Sequence, residues 1–489
     1  MKWKILLVII IAAHALILAK MVFFPYPELF LYPYLANHGF LPYKQIFDQH
    51  FPSILMLPIN ISTFGLSSPA TARMFSIGLA ILAQILLLGI SRSIFKSEKK
   101  AILVNLFYLF IQPVFEGYIL WIDTFIVPAT LAAFYLLWRF FEEKKLVFAF
   151  WAGLFAGLSV FIKQSMLPLA VVVGILLLVK SKSFKAAIIY GAGVLVPMAV
   201  LLFWIIKNGI FADFYYWTVK FNLEVYPKMA GKFPTLKQLA RGIVFFAPAG
   251  LLFLTKARRK LVNIIAGLFL VFSLVAGGNR FELVHLQPAL PFVALLTVSF
   301  VEALGKRLRP ILLLAIFIPS VFLVGYLLRG LISTYVYFFD ETTVATASEV
   351  DELTKPGERI FIMGSQPIIY PLADRMPAGG VFSVSLPWNI KVVEDIILAG
   401  IEKDRPAAVV RDFSATIDGI AVLDYMRKID KFVNANYELA EKVGPNEILI
   451  PKKAINCNGV NAIVFDAKTG FKLPPQLESC GFRLRCAIK

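Results

Sequence analysis

Apolar runs of about 20 residues alternate with short polar segments along the first two thirds of the chain. Each run is long enough to cross roughly 30 Å of hydrocarbon as a helix. The pattern predicts eleven spans, at about 1–23, 68–94, 101–119, 122–139, 146–163, 165–180, 186–206, 241–255, 261–277, 289–304 and 310–328. Residues 53–67 are apolar but interrupted by Pro58 and Gly65, and read as an interfacial or re-entrant piece. Basic residues gather in alternate loops: Arg92 to Lys100, Arg139 to Lys145, Lys180 to Lys185, Lys256 to Lys260 and Lys306 to Arg309. The positive-inside bias puts these loops in the cytoplasm together with the N-terminus, and puts residues 24–55, 207–240 and the segment around Arg280 outside. Lys2 and Lys4 ahead of the first apolar run resemble the start of a signal peptide. The bulky aromatics and prolines that follow offer no small-residue cleavage site, so the run reads as an uncleaved span.

From about Ser333 the pattern changes. Lys355-Pro-Gly-Glu358 marks a turn, and Arg359–Met363, Ala407–Val410 and Glu447–Ile450 read as buried strands. Helices are expected near 390–403 and 419–436, which together predict a small α/β domain. The expected organisation is a transmembrane module over 1–330 with its first outer loop at 24–55, an extracytoplasmic α/β domain over 331–453, and a tail over 454–489. The tail holds all three cysteines, Cys457, Cys480 and Cys486, so an oxidising exterior permits one disulfide and leaves one thiol over.

Composition agrees with a polytopic α-helical membrane protein. Of 489 residues, 59% are hydrophobic and only 16% charged, with a mean hydropathy of +0.76. A formal charge of +18 suggests nucleic acid at first sight, but the excess lies in the loops between spans, where orientation in the bilayer accounts for it. There is no C-x-x-C pair and no His/Cys cluster in the sequence, so no metal is demanded, although a divalent cation remains compatible with the acids.

Ionisable groups next to a bilayer are costly and invite a functional reading. The predicted topology gathers Glu28, Asp48, His50, Glu116, Asp123, Lys163, Arg280, Glu282 and His285 at the outer ends of spans, where acids and bases at one level would line one outward-facing cavity. Glycosyl transfer from a lipid-phosphate sugar suits that mixture. An acceptor hydroxyl needs a general base as it attacks the anomeric carbon, and the departing phosphate needs cations. Direct displacement with inversion needs one catalytic carboxylate rather than a pair. Glu28 is the first candidate for that base and Asp48 the second.

The motifs resemble those of the GT-C membrane glycosyltransferases, the superfamily of protein O-mannosyltransferases and of bacterial aminoarabinose transferases. The counterparts are Glu28 in the first loop, Gly39-Phe-Leu-Pro42-Tyr43, Asp48-Gln-His50-Phe-Pro52, Trp121-Ile-Asp123, Gly157 to Lys163, and Arg280-x4-His285-x5-Pro291. Ala373-Asp374-Arg375-Met-Pro377 is similar to a stretch in bacterial members with an extracytoplasmic C-terminal domain. This chain departs from the pattern in having Pro27 before Glu28, Lys44-Gln45 after Tyr43, and Leu286 after His285. The resemblance implies a plasma-membrane enzyme whose donor is a polyprenyl-phosphate sugar and whose acceptor is a lipid, glycan or protein. Lys163, Arg280 and His285 are read as donor-phosphate contacts, Lys163 and Arg280 because they lie at the lipid headgroup level, and Asp123, His50, Tyr43 and Glu282 as orienting residues. The aromatics between Phe214 and Tyr226 would stack on substrate or form an interfacial belt.

The competing expectation is a transporter or flippase of lipid-linked or envelope substrates. Against it stand the clustering of charge at one face and the lack of a visible inverted repeat. A non-catalytic scaffold is the third, and would tolerate loss of both Glu28 and Asp48.

Overall fold

The computed structural model describes residues 2–452 apart from 279, 305–309, 311–317, 319, 320, 323 and 327. The cysteine tail and much of the expected eleventh span lie outside the described residues. Among those described, seven helices are long and apolar enough to cross a membrane: Lys2–Lys20, Pro69–Phe95, Ile122–Glu143, Gln164–Ser181, Phe184–Lys207, Leu236–Leu254 and Leu283–Ala303. The shorter helices Glu98–Val114, Leu146–Ile162 and Leu261–Val275 stand at the third, fifth and ninth expected spans.

The Leu283–Ala303 segment is the axis of the bundle. Every residue from Leu290 to Val301 is buried, as expected of a helix that is apolar all round. Its first turns, Leu283–Ala289, are 3₁₀ and contain Pro288. A chain of buried polar groups ties the first helix to this axis. His14 bonds Gln112 (2.9 Å) and Gln84 (3.0 Å), Gln84 accepts from Asn105 (2.6 Å), and Gln112 donates to Gln287 (3.1 Å). Helices in lipid gain nothing from apolar burial against one another, so such interhelical hydrogen bonds and close packing hold them together.

The closest helix packing is Leu146–Ile162 against Phe184–Lys207, where Gly153, Gly157 and Gly193 let the backbones touch. A Cβ on Gly153 would collide with the carbonyl of Tyr190, which is backbone and cannot move aside. Gly153→Leu should therefore force these helices apart and lower the thermal unfolding temperature in detergent, whereas Gly191→Ala, with open space at its Cβ, should leave it unchanged.

The expected span 101–119 ends early. The helix stops at Val114, one residue after Pro113, and the chain turns through Glu116 in a left-handed conformation (φ 60°). Two-residue strand β1 (Phe24–Pro25) lies parallel to β3 (Ile119–Leu120), joining the first loop to this turn. The eighth span starts earlier than 241, because Thr235 and Gln238 form a capping box at the start of Leu236–Leu251. Within the first loop a helix runs over Glu28–Asn37, and β2 (Ile46–Phe47) follows.

The C-terminal domain carries a five-stranded sheet. Its strands are β4 (Arg359–Met363), β5 (Met376–Pro377), β7 (Ala408–Arg411), β10 (Tyr437–Val443) and β11 (Asn446–Pro451), in the order β10-β11-β7-β4-β5. β4 is parallel to β5 and β7, and β11 is antiparallel to β7 and β10. Helices Glu341–Leu353, Pro387–Lys403 and Arg427–Asn436 pack with it. The helix expected over 419–436 is broken. Strands β8 (Thr416–Ile417) and β9 (Ile420–Ala421) form a hairpin around Asp418-Gly419, both at positive φ, as the two-residue turn requires, and helix follows only as a single turn at Val422–Tyr425 and then at Arg427–Asn436.

Strand β6 (Phe382–Ser383) pairs with β2, so the first loop of the membrane module and the C-terminal domain share a short sheet. The aromatics of the 207–240 loop reinforce this junction. Trp217 stacks on Phe47 (5.6 Å between centroids), and Phe214 meets Tyr43 and Phe51.

Candidate active site

Glu28 stands in the first turn of its helix, behind Pro27. Its Oε2 is buried and has no hydrogen-bond partner. Burial pushes the carboxyl up to about 7, with the nearby Asp48 adding to the rise while its own backbone N–H and His50 oppose it. A carboxyl with a free oxygen and an acidity near neutrality is matched to taking up a proton.

Asp48 is the opposite case. Its Oδ2 accepts from the Tyr32 hydroxyl (2.7 Å), and its Oδ1 accepts from the backbone N–H (2.7 Å) and ring Nδ1 (2.8 Å) of His50. Burial acts to raise its pKa, but His50 and the Tyr32 hydroxyl together outweigh it and hold the carboxyl below its ordinary value. Tyr43, in a left-handed backbone conformation, donates its hydroxyl to the His50 carbonyl (2.8 Å). His50 and Tyr43 thus brace the loop around Asp48.

Lys163 ends the Leu146–Ile162 helix in extended conformation, which turns its ammonium toward the start of Ile122–Glu143. There it donates to both oxygens of Asp123 (2.8 and 3.0 Å). Asp123 also bonds His285 Nδ1 (2.8 Å), which is 3.4 Å from the Lys163 ammonium. Because the carboxylate only accepts, Nδ1 carries the hydrogen, and Nε2 is left to face Glu282 at 3.9 Å. Glu282 accepts from the Tyr26 hydroxyl (3.1 Å) and pairs with Arg280 (2.8 Å). Arg280 also grips Asp418 of the β8–β9 hairpin with two bonds (2.5 and 3.1 Å) and lies 5.2 Å over the Trp388 ring. Glu116 accepts from the Val284 N–H (2.9 Å), satisfying an otherwise free donor at the start of the axial segment.

Three cavities meet along the chain from Gly277 to Leu286. An apolar groove of 390 Å³ runs between the Leu236–Leu251 and Leu261–Val275 helices and ends on Arg280, Glu282 and His285. A polar pocket of 240 Å³ is lined by Gln49, His50, Lys163, Gln164, Asn222 and His285, among others. The third, of 490 Å³, lies between the membrane module and the C-terminal domain and contains Glu28, Arg280 and Glu282. Glu28 therefore shares a cavity with Arg280 and Glu282, while Lys163 and His285 line the neighbouring pocket. Asp123 and Asp48 stand behind the walls as partners of Lys163, His285 and His50. Among the described residues no group of three or more His, Cys, Asp or Glu is arranged to hold a metal ion.

Several contributors were absent from the sequence reading. Trp388 and Asp418 come from the C-terminal domain, and the only local hints were a Pro-Trp helix start and an Asp-Gly turn. Gln164 directly follows the Gly157 to Lys163 motif, while Asn222 has no motif around it; the amides of both donate to the Gln49 carbonyl (2.7 and 3.0 Å). Conversely, Arg375 of the Ala373–Pro377 stretch is buried in the domain, bonded to Asp351 and Thr354, and has a structural role.

No protein-family model and no curated protein matches the chain. Solved structures do. ArnT from Cupriavidus metallidurans bound to undecaprenyl phosphate aligns with a TM-score of 0.62 over 93% of this chain and 98% of that one, at 9% identity. The same protein in the apo state gives 0.62 over 92% and 97%, at 11% identity. The archaeal oligosaccharyltransferase AglB from Archaeoglobus fulgidus, in complex with an inhibitory peptide and a dolichol-phosphate, gives 0.53 over 92% and 75%, at 14% identity. With its bundle of apolar helices and a sheet-bearing C-terminal domain, the chain is a polytopic membrane protein with the fold of the GT-C glycosyltransferases.

Proposed function

We propose that the chain is an inverting membrane glycosyltransferase that moves a sugar from a polyprenyl-phosphate carrier to a hydroxyl acceptor at the outer face of the plasma membrane. Its N-terminus lies in the cytoplasm and its C-terminal domain outside. The observation that carries this reading is the shared wall at Gly277–Leu286. A lipid-linked sugar needs an apolar groove for its tail and a polar pocket for its head, and the acceptor needs a base, here the free oxygen of Glu28. Similarity in fold to proteins solved with undecaprenyl phosphate and dolichol-phosphate supports the donor class.

In the proposed step Glu28 Oε2 takes the acceptor's hydroxyl proton and the hydroxyl oxygen bonds to the anomeric carbon. The bond from that carbon to the phosphate oxygen breaks, and its electron pair leaves on the phosphate. Lys163, Arg280 and His285 absorb the developing charge, with Arg280 exchanging Asp418 for the phosphate. Asp123 holds Lys163 and His285 in place, and Glu282 does the same for Arg280. Lys163 and Arg280 can supply the charge compensation, so the proposal assigns no step to a divalent cation, and chelator is expected to leave the rate unchanged.

The test is transfer of labelled sugar from a panel of polyprenyl-phosphate donors in proteoliposomes without an ion gradient. The expected result is transfer by the wild type and loss in Glu28→Gln. Label that crosses the bilayer with its lipid still attached, and no transfer from any donor, would overturn the proposal.

A further inference from the structure

The cavity holding Glu28 has features that the transfer step alone does not require, and we infer that it is an acceptor site for an uncharged glycan, recognised by the C-terminal domain through Trp388. This rests on the function proposed above. Two buried polar atoms without partners belong to residues lining this one cavity: the acceptor Oε2 of Glu28 and the donor Nε1 of Trp388. Trp388 is only 4% exposed, so water does not reach its N–H freely, and a buried donor is rarely left without a partner. A diol satisfies both atoms at once, because a hydroxyl both donates and accepts. One hydroxyl gives its hydrogen to Glu28, and a neighbouring oxygen receives the indole N–H.

The remaining wall suits a sugar ring. Tyr26 from the membrane module and Tyr370, Phe382 and Tyr425 from the domain provide aromatic surface for the C–H faces of a pyranose, and serine side chains and Gln366 lie between them. Charge selects against an anionic acceptor. Glu28, Glu282 and Asp412 all line the cavity, whereas the guanidinium of Arg280 is already paired with Glu282 and Asp418. The volume of 490 Å³ is about twice that of the polar pocket beside it, which favours more than one ring. The cavity also continues outward. Ser365, Gln366 and Asp412 border a second, polar cavity of 720 Å³ formed with residues 334–343, so a longer glycan can reach Glu28 by its end while its remainder stays in this outer space.

The test uses the full-length protein in proteoliposomes with a donor that it accepts, offering neutral methyl glycosides, a neutral trisaccharide, a sugar phosphate and a serine-containing tripeptide. The expected result is transfer to the neutral sugars, with the trisaccharide preferred. Trp388→Phe keeps the ring and drops the N–H, and should raise the acceptor KM by about tenfold with donor KM unchanged. Gln366→Ala should remove the preference for the trisaccharide over the methyl glycoside. Transfer to the peptide or the sugar phosphate with neutral sugars inert overturns the inference while leaving the glycosyltransferase reading intact, as does an acceptor KM unmoved by Trp388→Phe. If no donor supports transfer, that reading fails, and calorimetric binding of the trisaccharide still decides the site. Binding weakened in a Trp388→Phe protein of unchanged thermal stability upholds it, and absence of binding to wild type overturns it.

Discussion

Glu28→Gln should cut transfer by about 10²–10⁴-fold, the usual contribution of a positioned general base, and should at the same time make the protein more stable at pH 8. The two effects have one cause. Burial raises the Glu28 carboxyl from an ordinary 4.5 to about 7, so the folded state favours the neutral form. The stability from that preference is fully present below the unfolded value of about 4.5 and is lost as pH rises through about 7. At pH 8 the wild type then carries an ionised buried carboxylate at a cost on the order of 3 kcal/mol, while glutamine carries no charge. Melting curves of the two proteins should be separated at pH 8 and converge toward pH 4.5. Activity has the opposite dependence: kcat/KM of the wild type should rise through about pH 7 as Glu28 ionises. If Asp48→Asn abolishes transfer and Glu28→Gln spares it, the base is Asp48, in spite of the three hydrogen bonds that occupy its oxygens.

Asp123→Asn should be the most damaging single change to folding in the membrane module, with an expected loss of about 3–5 kcal/mol, as for other buried ion pairs deprived of one member. The side chains of Lys163 and Asp123 are only 9% and 2% exposed, so an uncompensated lysine there is poorly solvated. The substitution also removes the carboxylate that holds the hydrogen on His285 Nδ1, so the ring is freed to rotate or change tautomer. Lys163→Met should cost a similar amount by stranding Asp123. The double variant Asp123→Asn/Lys163→Met should be more stable than either single one, because it buries no charge, yet should remain inactive. Thermal unfolding in detergent and transfer in proteoliposomes read the two effects separately. If the two losses simply add in the double variant, the pair is not coupled and the site description is wrong at this point.

Much of the membrane module was legible in the sequence. Period and length of apolar runs located helices for the first ten expected spans, because the bilayer imposes its thickness on every segment independently of its neighbours. The errors were at ends where a local signal competes with hydropathy. Pro113 stops a helix that the apolar run would have continued to residue 119, and the Thr235 capping box starts one ahead of its apolar run. In the C-terminal domain the helical pattern predicts a helix from Gly419 onward, whereas Asp418 and Gly419, both at positive φ, close a hairpin instead.

The sequence by itself determined that the chain is a membrane-embedded bundle with Glu28, Asp48, Asp123, Lys163, Arg280 and His285 at one end of its spans, since hydropathy and charge distribution are properties of segments and need no partner. Only the tertiary structure decided which of those groups are paired and which are open. Asp48 and Asp123 are both acids at span ends, yet one is saturated by Tyr32 and His50 and the other by Lys163 and His285, while Glu28 keeps a buried oxygen without a partner. Asp48 finds its partners within 16 residues of chain, whereas Asp123 is held by side chains 40 and 162 residues away. Trp388 and Asp418 reach the site from a domain that no local pattern connects to Glu28. Desolvation and pairing are set by surroundings in space, and the linear order of residues holds no record of them.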